Sequence, residues 1–238
     1  MTEINYGIIK LMKKRFIYSA VLIIVGLGLV LWGVPLALFA PQKAPSTPPT
    51  TQHIVNNNLT NINMEKKILM VVALKDFRDE EYFIPKEVLE KDGFFIDTTS
   101  TQKGIAVGSQ GGEAVIHIGI DEINSENYKA IIFCGGPGMV NELENQDFYK
   151  LIKDFYQNNK VVAAICISPA LLAKAGILED KKATVWSSAL DKSFIKILEE
   201  NGAIYKDNPV VIDDKIVTAN GPDAAEEFGK AIKELLSN

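Results

Sequence analysis

The 238-residue chain predicts a doubly wound α/β domain with a mostly parallel sheet sandwiched by helices, preceded by one transmembrane helix. Three observations carry this. The short apolar runs KILMVVAL, AIIFC and VVAAI read as strands buried on both faces, as in a parallel sheet. Segments of helical length and pattern lie between them, so β and α units alternate. Residues 16–40 hold no charged residue in 25 positions. At about 1.5 Å per residue such a run spans a bilayer core of roughly 30 Å.

In chain order, residues 1–15 are expected to form a cytoplasmic N-terminus. Lys10, Lys13, Lys14 and Arg15 precede the apolar run and only Lys43 follows closely. That imbalance keeps the N-terminus inside and places residues 41–238 outside the cytoplasm. A cleaved signal peptide, a buried core helix, and a soluble cytoplasmic product started at Met64 are the alternatives. The run is long for a signal peptide, and Pro41 is a poor residue just after a cleavage site. Residues 41–65 are rich in Pro, Thr and Asn and read as a flexible linker, with His53 inert inside it.

Residues 66–238 form the α/β domain. The expected elements are a buried strand at 67–74, a helix at 79–91 stopped by Asp92-Gly93, and a strand at 94–98. A glycine-rich hairpin follows within 104–118. The next buried strand, 130–134, ends at Gly135-Gly136-Pro137-Gly138. A helix at 147–158 leads to a strand at 161–165 and a helix at 169–174. The remainder is a helix at 193–201, a hairpin of 210–212 and 215–218 around Asp213-Asp214, and a closing helix at 223–236. Sheets of this kind place their sites beyond the carboxyl ends of the strands.

Composition narrows the function. From Lys66 onward there are 20 Lys and Arg against 28 Asp and Glu, a net charge of −8 with no basic stripe. Nucleic acid is therefore not an expected partner. Two cysteines, Cys134 and Cys166, are too few for a disulfide framework, and neither they nor His53 and His117 have metal-ligand spacing. No metal or other cofactor is expected.

Three constellations could carry chemistry. In Ala164-Ile165-Cys166-Ile167-Ser168-Pro169 a buried strand runs into a helix with almost no loop. A nucleophile elbow needs small residues two positions either side of the nucleophile, and Ala164 and Ser168 supply them. The helix N-terminus beneath the thiol would favour thiolate. A buried cysteine acting as a small hydrophobe remains the competing reading. The Gly135-Gly136-Pro137-Gly138 turn could aim N–H groups at an oxyanion, or simply turn. In Arg78-Asp79-Glu80-Glu81 the helix macrodipole alone accounts for Asp79 and Glu80, whereas Glu81 could point back over the strand ends.

Together KKILMVVAL, the acidic helix start with Glu81 four residues before Pro85, GGPG, AAICISP and KIVTANGP resemble the DJ-1/PfpI superfamily, within the class I glutamine-amidotransferase-like fold. The resemblance covers nearly all of residues 66–238. It implies that Cys166 is the elbow cysteine and that Glu81 is the carboxyl group hydrogen-bonded to it. It further implies that Gly136 and the backbone N–H of Ile167 line the pocket. Homodimers or larger homo-oligomers are common in the family. Its activities include glyoxalase or deglycase chemistry on reactive carbonyls, peptidase or chaperone activity, and oxidant sensing in stress responses.

Departures from the family pattern shape the expected chemistry. The protease-like branch has His after the nucleophile, where Ile167 stands, and the dicarbonyl branch has His where Trp186 stands. Proteolysis by a hydrolase of the PfpI type is thus the least expected activity. The expected partner is a small electrophile or an oxidant. A sensor or interaction module without enzymatic activity is the rival. Trp186 either packs or walls the pocket, beside Gly135 and Cys134. Ser187 and Ser188 are expected to be solvated loop residues, and Asn220 to serve backbone geometry.

Overall fold

The computed structural model describes residues 66–237. In order they form Lys67–Val71 (β1), Lys75–Phe77 (β2), Asp79–Lys91 (α1), Phe95–Ser100 (β3), Gly104–Gly108 (β4), Glu113–Ile116 (β5), Ile118–Gly119 (β6) and Ala130–Phe133 (β7). Gln146–Gln157 (α2), Val161–Ile165 (β8), Pro169–Lys174 (α3), Lys182–Ala183 (β9), Ser193–Glu200 (α4), Ile204–Tyr205 (β10), Val210–Asp213 (β11), Ile216–Ala219 (β12) and Ala225–Ser237 (α5) follow.

The apolar runs become the middle of a seven-stranded sheet in the order β11-β12-β8-β7-β1-β3-β6. Only the β11–β12 pair is antiparallel. One row across the sheet joins Met70, Ile132, Ala163 and Val217, all fully buried. From β1 the chain moves to β3 on one side and later to β7 on the other. That reversal is the switch point at which such sheets open a crevice. Right-handed crossovers leaving it in opposite directions put α1 and α2 on opposite faces. Helix α1 packs on α5, where Gly229 allows close approach: a Cβ there would lie 3.1 Å from Pro85 Cα.

The expected mostly parallel α/β sheet is present. Its first strand is shorter than expected, because Ala73 and Leu74 leave the sheet and feed β2. Strand β2 joins β4 and β5 in a separate three-stranded sheet, which contains the expected hairpin. The closing helix begins later than expected, after a single 3-10 turn at Pro222–Ala224.

The expected cytoplasmic N-terminus, transmembrane helix and linker, residues 1–65, lie outside the described residues. Among the described residues no helix is long and apolar enough to cross a membrane.

Candidate active site

Cys166 stands one residue beyond β8 with φ 65, a left-handed backbone value uncommon away from glycine. Such a conformation costs roughly 1–3 kcal/mol and persists only when its surroundings fix it. Here the backbone N–H of Cys166 donates to Ala219 O at 2.9 Å, and that of Ser168 to Ile165 O at 3.2 Å. The buried Ser168 hydroxyl donates to Cys134 O at 2.8 Å, tying the start of α3 to the end of β7. Trp186 N–H donates to Cys166 O at 2.8 Å.

Glycine is required where the β7 turn meets this elbow. A Cβ on Gly135 would lie 2.5 Å from Cys166 Cβ. Gly136 has φ 111, and a Cβ there would lie 2.4 Å from Arg78 N. The turn is held to the start of α1 by Arg78 N–H donating to Gly135 O at 3.0 Å.

Glu81, third residue of α1, is fully buried. Gly135 N–H donates to its Oε2 at 3.0 Å. Its Oε1 is buried with no hydrogen bond of ordinary geometry, and the carboxyl group's other interaction is with the Cys166 thiol. Burial pushes the Glu81 pKa up to about 7, against the lowering effects of the thiol, Gly135 N–H and Arg78. The Cys166 thiol is also pushed up, first by burial and then by the charge and hydrogen bond of Glu81. Backbone N–H groups of Gly136 and Ile167 act on the sulfur in the opposite sense. Burial and Glu81 oppose the thiolate that the helix start is expected to favour. Helix α3 has only six residues, while burial and then the Glu81 charge act on the thiol against ionisation.

The elbow opens into a cavity of about 400 Å³ walled by Trp186, Phe194, Val140 and Pro222, with Arg78 also lining it. The Trp186 and Phe194 rings meet edge-to-face with centroids 6.0 Å apart. Cys166, Glu81, Gly136, Ile167 and Trp186 therefore converge on one space. Gly135 and Cys134 belong to the layer beneath rather than to the wall. The Cys134 side chain is sealed in the sheet, where burial and then the Glu81 charge hold its thiol well up. Both thiols are free.

Trp186 both packs and walls the cavity. Ser188 Oγ accepts from the N–H groups of Leu190 and Asp191, and Ser187 Oγ accepts from Lys192. These serines shape their loop. Asn220 N–H donates to Pro209 O. His117 lines a separate cleft with Phe83 and Lys86. A larger cleft of about 670 Å³ lies at the β3 edge, among residues such as Lys103, Asp147 and Lys150, and holds no thiol. Among the described residues no cluster of three or more His, Cys, Asp and Glu could hold a metal ion.

Sequence reading missed Arg78, Val140, Phe194 and Pro222. Arg78 and Pro222 sat inside motifs already singled out, FRDEEY and TANGP. Val140 and Phe194 gave no signal, since each looks like an ordinary apolar residue in its own segment. Asp79 was ascribed to the macrodipole, yet it is buried and accepts from Gln110 N–H at 2.8 Å and Gly112 N–H at 2.7 Å.

Residues 66–235 match the family described as the DJ-1/PfpI family. The chain is 46% identical over 185 residues to an uncharacterized protein of Methanocaldococcus jannaschii, covering 77% of this chain and 89% of that one. It is 31% identical over 176 residues to protein/nucleic acid deglycase 2 of Escherichia coli, covering 73% of this chain and 99% of the relative. Among solved structures, a ThiJ/PfpI domain protein from Brachyspira murdochii is similar with a TM-score of 0.69 and 31% identity, over 72% of this chain and 96% of that one. Drosophila melanogaster DJ-1beta gives a TM-score of 0.64 and 25% identity, over 73% and 91%.

Proposed function

The chain belongs to the DJ-1/PfpI family, and from that premise we propose that Cys166 is the nucleophile of an enzyme acting on small reactive carbonyl compounds. One observation carries the reading. The Cys166 sulfur meets two backbone N–H groups and a carboxyl group that titrates near neutrality, at the floor of an open cavity. A relative described as a protein/nucleic acid deglycase supports the same class of chemistry.

The thiol and Glu81 share protons. The thiolate forms alongside a protonated Glu81, with the N–H groups of Gly136 and Ile167 on the sulfur. Attack on an aldehyde makes a carbon–sulfur bond and sends the carbonyl π pair to oxygen. That oxygen takes the proton held by Glu81, and the same N–H groups would steady its charge as it forms. For a 2-oxoaldehyde, Glu81 then moves the proton from the aldehyde carbon to the neighbouring carbon while the hydroxyl proton passes to the neighbouring oxygen, which leaves the 2-hydroxy acid as a thioester on Cys166. Water releases the 2-hydroxy acid and restores the thiol. The aldehyde carbon is oxidised at the expense of its neighbour, so no outside oxidant is needed.

Replacing Cys166 with Ser should abolish consumption of methylglyoxal and release of the hydroxy acid by the full chain. Unchanged consumption overturns the reading. The rival, a sensor without turnover, draws on the raised thiol and the absence of histidine among the described residues lining the cavity. In it, peroxide converts the thiol to sulfinic acid, two peroxides being reduced to two waters. A 32 Da gain on intact protein with no aldehyde turnover would favour it.

Placement of the domain belongs to the proposal too. The uncharged stretch at 16–40 and its basic flank support a single span, with residues 41–238 outside the cytoplasm. Self-association into a dimer or larger assembly is proposed from the family's habit. Sedimentation of the full chain in detergent would read it, and a strict monomer would remove it.

A further inference from the structure

We infer that the Cys166 cavity selects neutral carbonyl compounds carrying an aromatic or bulky apolar group, with Trp186 as the specificity-determining residue; the inference rests on the carbonyl reading above. Apart from Arg78, the cavity's polar equipment gathers around the thiol. The thiol, Glu81 and the N–H groups of Gly136 and Ile167 form the floor, and the walls above are indole, phenyl, valine and proline. A ligand that fits both has a polar reactive end and an apolar body.

Size points the same way. A space of about 400 Å³ lies in the range that holds drug-sized molecules. A three-carbon aldehyde would leave most of it to water, against walls that offer water few partners. Val140 is 48% exposed at this wall, apolar surface that a bound ring would cover.

Charge narrows the class further. Among the described residues Arg78 is the one cation on the lining, and its guanidinium is paired with Glu80. Nε lies 2.9 Å from Glu80 Oε2 and Nη2 donates to Glu80 Oε1 at 3.2 Å. Glu80 in turn accepts from Gln110 Nε2 at 2.7 Å. The pair is locally neutral, so a carboxylate or phosphate on the ligand would have to compete with Glu80 for its counter-charge. Polyhydroxylated sugars find few hydrogen-bond partners on these walls.

The Trp186 wall is fixed relative to the nucleophile. Its backbone N–H is bonded to the carbonyl of Cys166 itself, and its ring rests edge-to-face on Phe194. Each methylene moved from water onto such a surface is worth about 0.8 kcal/mol, about a fourfold gain in binding.

The test compares phenylglyoxal, methylglyoxal and 4-carboxyphenylglyoxal, all 2-oxoaldehydes, with the full chain. Phenylglyoxal is expected to show a kcat/KM at least tenfold above methylglyoxal and at least tenfold above its carboxylated analogue. Trp186→Ala should shrink the phenylglyoxal advantage at least fivefold, mainly through KM, and Trp186→Phe should keep most of it. Methylglyoxal turned over as well as phenylglyoxal, or an advantage unmoved in Trp186→Ala, overturns the inference and leaves the carbonyl reading standing. A second measurement needs no turnover. Acetophenone should protect Cys166 from iodoacetamide at concentrations at least tenfold lower than acetone or benzoate. Equal protection by the three overturns the inference. Selective protection without turnover of any aldehyde upholds the cavity's preference and removes the enzyme instead.

Discussion

Burial of Glu81 makes folding stability depend on pH in a direction opposite to that of most carboxylates. Its folded pKa is about 7 against an ordinary 4.5, so between those values the folded state binds more protons than the unfolded one. Stability from this group is complete below about pH 4.5 and is lost as pH rises through 7. The difference amounts to on the order of 3 kcal/mol. Urea unfolding at pH 4.5 and 7.5 should show this slope in the wild type, with Glu81→Gln flattening it. An equal slope in both proteins would reject the assignment. The thiol supplies a second readout. Under the proposed mechanism the pair gives up its first proton near pH 7, so iodoacetamide labelling of Cys166 should rise through pH 7, level off, and rise again at high pH. A single rise above pH 9 would instead describe a packed thiol. Sequence alone brought Cys166 and Glu81 together through motif resemblance. It left out the burial of the thiol, because helix position is visible in a string and desolvation by distant segments is not.

Helix α1 shows what element-level reading captures and what escapes it. Its bounds, Asp79–Lys91, were legible from the acidic start and the Asp92-Gly93 stop. The use of its first residue was not, since Asp79 takes its hydrogen bonds from a turn 31 and 33 residues further on. Those two charge-assisted bonds clamp the β4–β5 hairpin over the helix start. Gly108 and Gly112 are required there, because a Cβ on either would lie within 2.5 Å of the Asp79 carboxylate. Asp79→Ala should cost about 2 kcal/mol by denaturant unfolding. Faster amide exchange should be confined to residues 108–112. Exchange spread evenly through the domain would mean that Asp79 serves the core at large. The β7 turn predicts a sharper effect. Gly135→Ala puts a methyl group 2.5 Å from Cys166 Cβ, and overpacking of this kind costs typically 1–3 kcal/mol. The Cys166 labelling profile should shift with it, which destabilisation elsewhere would not produce.

At the scale of the whole chain, legibility follows how much information each feature keeps in one stretch. Buried parallel strands announce themselves as apolar runs, and β1, β7 and β8 were read within three residues. Two- and three-residue strands such as β2, β6, β9 and β10 have no pattern to read. The cavity wall is harder still, because Val140, Trp186, Phe194 and Pro222 come from separate segments that only the folded topology assembles. Residues 16–40 are the opposite case: a local signal strong enough to carry a prediction by itself. With 25 uncharged positions behind a basic flank, and a following chain of net charge −8 that an anionic surface would repel, the span proposed above would be the means of any membrane attachment. The full chain should therefore stay with membranes through alkaline carbonate washing and leave only with detergent. Replacing Leu22 and Leu29 with Arg should release it, since two charges near the middle of a span cost several kcal/mol. Recovery of the unmodified full chain in the soluble fraction would reject the span. Release by salt alone would reduce the attachment to Lys10, Lys13, Lys14 and Arg15 acting at the surface.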